Sequence, residues 1–277
     1  MLGLIPIFIS VLTLGATPDI PDVTTLTPGQ RTVYQGVISE EFCSCTSAMT
    51  IGGCLELRPK CGVARHLGDI AYTAAQSGNT TAEVLGFLSD RVIGPFCGKE
   101  STIAVAKAPS MGKSTAPITV VEFADFRCGH CKAAVPLVKR AAAQHPANAR
   151  MVFVPFPLGD HPESLAAAEA ALAAGAQGKF WEMHDALFAN QALGFSFENL
   201  MDHAKDVGLN TKRFRKAMET HEYRAELKAL KEAGLAAGVK GTPAFFVNGR
   251  RFDPAPALMT LSRRIDMELD RNRGQCQ

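Results

Sequence analysis

Apolar positions along the chain follow two periods. Ile118-Thr119-Val120-Val121-Glu122-Phe123-Ala124 and Met151-Val152-Phe153-Val154-Pro155-Phe156 are short runs rich in β-branched and aromatic residues, which predict buried strands. Ala244-Phe245-Phe246-Val247 predicts another. The Asn248-Gly249 pair after it, ahead of Arg250-Arg251-Phe252, is a hairpin signal because both residues tolerate positive φ. Elsewhere the spacing is helical. Leu67, Ile70, Ala71 and Ala74 share a face, and a Ser77-Gly78-Asn79 turn follows. Thr80 with Glu83 forms a capping box before Val84, Leu85, Leu88 and Val92, and Gly94-Pro95 is expected to stop that helix. Val135, Val138, Ala141 and Ala142 define a helix after residue 131, with Pro136 as a kink site. Between the second and third strands the chain predicts a long helical insertion. It comprises the alanine-rich Ser164 to Ala174, then Phe180, Trp181, His184, Leu187 and Phe188, then Leu200, Met201, Ala204 and Val207 closed by Gly208. Phe214, Ala217 and Met218, then Leu227 and Leu230, continue it, and a last helix after Pro256 uses Leu258, Leu261, Ile265 and Leu269.

This pattern divides the chain into segments. Residues 1–16 carry a short apolar run, Leu2 to Leu14, and read as a secretory signal, atypical in that no Lys or Arg precedes it; an uncleaved anchor is the alternative, disfavoured by its length. Residues 17–32 read as a linker, 33–98 as a small cysteine-containing helical domain, 99–116 as a second linker, and 117–277 as an α/β domain. At 277 residues and 47% hydrophobic content the chain can bury a substantial core. Its 29 basic and 27 acidic residues leave no electrostatic footprint for nucleic acid, so that partner class is set aside. Eight cysteines fit an oxidising compartment, and hence a periplasmic or secreted location.

The chemistry concentrates at Cys128-Gly129-His130-Cys131, where the first strand passes into a helix. A sulfur at a helix N-terminus meets backbone N–H groups that stabilise its thiolate, the attacking and leaving species of disulfide exchange. His130 between the cysteines adds positive charge in the same sense. A structural disulfide or half of a zinc site is the alternative, but no second Cys-x-x-Cys or His-x-x-x-His accompanies the pair in this domain, and no metal or other cofactor is expected. Cys43, Cys45, Cys54 and Cys61 read as structural disulfides of a core-poor domain, with a four-thiolate zinc site or a second redox relay as alternatives; Cys97 and Cys276 either complete the even count or stay free. Asp125 reads as a cap or a charge that tunes the local field, and the remaining histidines as surface or packing residues.

The order of strand, Cys128-Gly129-His130-Cys131, proline-containing helix, helical insertion, then Gly241-Thr242-Pro243-Ala244-Phe245-Phe246-Val247-Asn248-Gly249 resembles that of DsbA-type thioredoxin-fold oxidoreductases over roughly residues 117 to 272. The resemblance implies a thioredoxin fold with a helical insertion and a redox-active Cys128–Cys131 disulfide, with Cys128 reacting and the more buried Cys131 resolving the mixed disulfide. It implies a cis bond before Pro243, so that Thr242-Pro243 binds an extended substrate beside the pair, and a carboxylate at Glu122 beneath the disulfide that exchanges protons with Cys131. Partners implied are client proteins with free thiols or disulfides and a membrane redox partner that reoxidises the pair. Two features depart from the family pattern: Gly129 stands where DsbA-type pairs commonly have proline, and Thr before the proline is seen in the bacterial isomerase branch. Oxidase, isomerase or reductase therefore remain open, oxidase being preferred, beside a thiol-client or metal-binding assembly factor. The early cysteine cluster and the two helices joined at Ser77-Gly78-Asn79 resemble the thiol domain of CcmH-type proteins, although Cys43-Ser44-Cys45 replaces their Cys-x-x-Cys.

Overall fold

The computed structural model describes residues 18–43, 49–105, 108–159, 161–254 and 259–273; the expected signal segment, Cys45 and Cys276 lie outside them. The first long helix, α1 (Pro28–Glu40), starts ahead of the expected boundary at residue 33. Thr27 and Gln30 make a reciprocal capping box, and proline at the first helical position has no amide hydrogen to waste. Helices α2 (Ile51–Leu57), α3 (Gly62–Gln76) and α4 (Thr81–Phe87) follow, with the turn between the last two made by Gly78 at φ 84°. Gly94-Pro95 does not stop the helix. A π-helical stretch at Leu88–Ile93 leads into α5 (Gly94–Cys97), where proline again occupies a first-turn position that needs no N–H partner. Cys43 and Cys54 form a disulfide, the structural reading, and Cys61 and Cys97 are also disulfide-bonded.

Five strands among the described residues form one sheet in the order β1-β3-β2-β4-β5: β1 (Ser110–Met111), β2 (Ile118–Ala124), β3 (Ala149–Pro155), β4 (Ala244–Val247) and β5 (Arg250–Phe252). β1 lies in the stretch expected to be a linker and pairs antiparallel with β3. β2 runs parallel to β3 and antiparallel to β4. The β4–β5 turn has Asn248 and Gly249 at φ 47° and 75°, as a primed hairpin turn requires. Alternation along β2 sends Ile118, Val120, Glu122 and Ala124 to one face and Val121 and Phe123 to the other. Ile118 and Val120 pack with Ala134, Val138 and Ala141 of α6 (Gly129–Gln144), a helix that contains Pro136. Val121 and Phe123 pack with Leu172 of α7 (Pro162–Gly175) and with Leu227 and Leu230 of α11 (Arg224–Ala236). Gly234 is required there, since a Cβ would come within 2.7 Å of the Phe156 ring and 2.8 Å of the Phe123 ring.

The insertion is α7, α8 (Phe180–Ala189), α9 (Phe197–Asp206), α10 (Thr211–Glu219) and α11. Phe180, Met183, Leu187, Phe188, Leu200 and Phe214 close a core of their own, which reaches Phe126 and Cys131. Trp181 packs edge-on to Phe180 as part of that core.

The last helix, α12 (Leu261–Asn272), joins the two parts of the chain. Arg263 reaches Asp69 of α3 at 2.6 Å, and Asp270 fills the space at Gly62 where any side chain would collide with it. The Arg264–Glu268 ion pair, at 2.9 Å, is almost without solvent, and Arg271 lies 3.5 Å over the Phe96 ring. On the hairpin side, Ser101 N–H donates to the Gly249 carbonyl at 2.8 Å and Arg250 Nε–H to the Gly98 carbonyl at 3.1 Å.

Candidate active site

The parallel β2–β3 pair ends at Ala124 and Pro155, and the chain leaves β2 into α6 through Asp125, Phe126 and Arg127. Cys128 is the N-cap of α6. Its sulfur accepts the Cys131 N–H at 3.4 Å, so one of the helix's open amides already points at it. The Cys128 thiol donates to the Thr242 carbonyl at 3.3 Å, across 114 residues of sequence. Thr242–Pro243 is a cis peptide bond. The fold therefore brings Cys128, Cys131 and Thr242 together, with Cys128 half-buried and Cys131 buried. Both thiols are free, whereas Cys43, Cys54, Cys61 and Cys97 are not.

Burial pushes the Cys131 thiol up, and the neighbouring Cys128 thiol acts in the same sense; hydrogen bonds from the Thr242 hydroxyl and the Asp125 backbone amide pull the other way. Glu122 is 4% exposed, on the sheet face that carries α6, opposite Phe153 and Phe245 in the two neighbouring strands. Its Oε1 has no hydrogen-bond partner, and burial raises the carboxyl to about 8. His130 is exposed on the first turn of α6.

Sequence reasoning missed how the segment before Cys128 is held. Asp125 does not cap α6, since Cys128 does. Instead its carboxylate accepts N–H bonds from Arg127 and Leu158, each at 2.8 Å. The signal available was an acidic residue two positions before a turn amide, the Asx-turn spacing. Gln191, from the insertion, donates to the Phe126 carbonyl at 2.7 Å, a contact with no local signature at all. Also unforeseen were two buried histidines beside carboxylates on α12: His66, 3.7 Å from Asp270, and His145, 3.8 Å from Asp266. Burial first, and Arg263 second, hold His66 down at about 3 despite Asp270, while burial and Asp270 raise Asp266 to about 6.

A cysteine pair where a central strand passes into a helix, its first thiol capping that helix and facing a Thr-Pro turn, beside a five-stranded sheet, is the arrangement of a thioredoxin-fold redox protein. The profile of a family described as Thioredoxin matches residues 105–267, and the chain belongs to that family. A thioredoxin-like oxidoreductase from Silicibacter pomeroyi DSS-3 is 31% identical, with a TM-score of 0.52 over 61% of this chain and 94% of that one. The thiol-disulfide exchange protein alpha-DsbA2 from Wolbachia pipientis is 25% identical, with a TM-score of 0.52 over 60% of this chain and 89% of that one. Among curated proteins, a stretch of Na(+)/H(+) antiporter NhaA 1 from Salinispora arenicola is 39% identical over 155 residues, 56% of this chain and 24% of that protein. The chain thus spans about a quarter of the length of the curated relatives it matches. Among solved structures, the chain is thus similar to a thioredoxin-like oxidoreductase and to a DsbA-type thiol-disulfide exchange protein.

Proposed function

We propose that the protein is an exported oxidase of protein thiols, which donates a Cys128–Cys131 disulfide to client polypeptides. The observation that most supports this is the position of the Cys128 sulfur between the Cys131 amide and the Thr242 carbonyl, 3.4 and 3.3 Å away. A client thiolate attacks Cys128; the client–Cys128 bond forms as the Cys128–Cys131 bond breaks, and the electron pair leaves on Cys131. A buried thiolate is costly there, and the Glu122 carboxyl, raised to about 8, holds a proton at neutral pH that it can deliver to Cys131. A second client thiolate attacks the client's own sulfur and releases Cys128. The client has lost two electrons and two protons, and the pair has gained them as two thiols. Thr242 and Pro243 form the docking edge for the client, whose backbone would pair beside the sulfur. His130 lies exposed on the first turn of α6, two residues from Cys128, on the side open to an approaching client.

A membrane redox partner would restore the disulfide, and export to the periplasm or beyond accords with the disulfides of the amino-terminal helices. The test pairs a trap with a potential. Cys131→Ser should accumulate mixed disulfides through Cys128, and equilibration with glutathione should find the pair readily reduced. A strongly reducing pair that reshuffles scrambled disulfides would instead make the protein an isomerase or reductase, and no trapped client would remove the reading altogether.

A further inference from the structure

We infer that Asp125 is a positioning residue for the redox pair, fixing the mouth through which polypeptide clients reach Cys128; this rests on the oxidoreductase reading above. Each residue from the end of β2 to Cys128 is tied to the rest of the protein. The Ala124 carbonyl accepts the Phe156 N–H at 2.8 Å. The Phe126 carbonyl accepts from Gln191 at 2.7 Å, and Arg127 pairs with Glu163 in the first turn of α7. Asp125 joins these ties. Its carbonyl accepts the Cys128 N–H at 3.0 Å, one carboxylate oxygen takes the Arg127 N–H and the other takes the Leu158 N–H, both at 2.8 Å.

The carboxylate is buried, and a buried charge is tolerated when donors surround it. Amide bonds to a carboxylate are also the stronger kind. Through them the segment that delivers Cys128 and the segment that follows β3 hold a fixed relation. Leu158, whose amide Asp125 holds, keeps 39% of its surface exposed, an apolar contact at the edge of the site for a polypeptide but of little use to a small thiol. Both carboxylate oxygens are engaged by amides, so the group is placed to hold geometry, whereas Glu122 has the unengaged oxygen.

The discriminating measurement is the ratio of two rates. Oxidised protein is mixed with dithiothreitol and, separately, with a short two-cysteine peptide, and the second-order rates are compared for wild type, Asp125→Ala and Asp125→Asn. Loss of the tie should slow the peptide reaction about tenfold, the scale of a misplaced docking edge, while the dithiothreitol rate changes little. Asp125→Asn, with the same shape but one acceptor fewer, should move the ratio in the same direction and serves alone if the alanine variant does not fold. Equal slowing with both thiols, a change in thermal stability with no change in ratio, or no change at all would overturn the inference. Wild-type protein inert towards both thiols would instead remove the oxidoreductase reading on which it stands.

Discussion

Glu122 gives the sharpest quantitative test of the site. Its carboxyl, on a buried strand face with Oε1 unpartnered, titrates near 8 rather than near 4.5. Folding therefore binds a proton between those values that the unfolded chain releases. The stability that Glu122 contributes is complete below about 4.5 and is lost as the pH rises through the folded value near 8. At roughly 1.4 kcal/mol per pH unit, the rise from 4.5 to about 8 amounts to about 5 kcal/mol, an upper figure for a group whose surroundings can relax. Glu122→Gln keeps the shape and removes the charge. The variant should match wild type to within about 1 kcal/mol near pH 4.5 and exceed it by several at pH 9, as read by urea unfolding of the reduced proteins across that range. If Glu122 serves Cys131 as proposed, thiol exchange should also fall in the same variant near neutrality. A constant stability difference across the pH range would refute the assignment of a neutral buried carboxyl, whatever the exchange rate did.

Three further outcomes are expected. His66, held down at about 3 by burial, contributes stability that is complete above about 6.5 and is lost as the pH falls towards 3, so His66→Gln should flatten the acid limb of the stability curve; an unchanged acid limb would show that Asp270 keeps the imidazole charged. Glu268→Ala strands Arg264 without solvent or counter-charge and should cost about 3–5 kcal/mol in denaturant unfolding, much of it recovered by pairing the change with Arg264→Met. Replacing Cys43 and Cys54 by alanine should cost about 3 kcal/mol, the loop-closure value for their separation of 11 residues, and a loss near zero would mean that other contacts restrain that loop in the unfolded chain.

The parts of the fold readable in the sequence were those written in local pattern. Strand runs at Ile118 and Ala244, the Thr80–Glu83 capping box and the Asn248-Gly249 turn each carry their own signal over a few residues, and the structure has all four. Gly94-Pro95 misled because proline tolerates a helix's first turn, and a π-helical stretch supplies a new first turn there. β1 was lost in a linker because two residues hold no period; it exists only because β3 offers an edge. Gln191 and Leu158, which hold the segment before Cys128, and the Thr242 carbonyl at its sulfur all depend on tertiary placement, and only Thr242 had a motif to announce it.

The apolar cluster that α12 serves runs without a break from Leu26 and Ile70 through Phe96 to Val120, Ala141 and Ile265. A truncation that begins at residue 117 would strip one side from Met259, Leu261, Ile265 and Met267 and leave Glu268 and Arg264 facing water on a raw surface. The amino-terminal helices are thus a wall of the redox domain rather than a detachable accessory, and the intact chain should melt as one body.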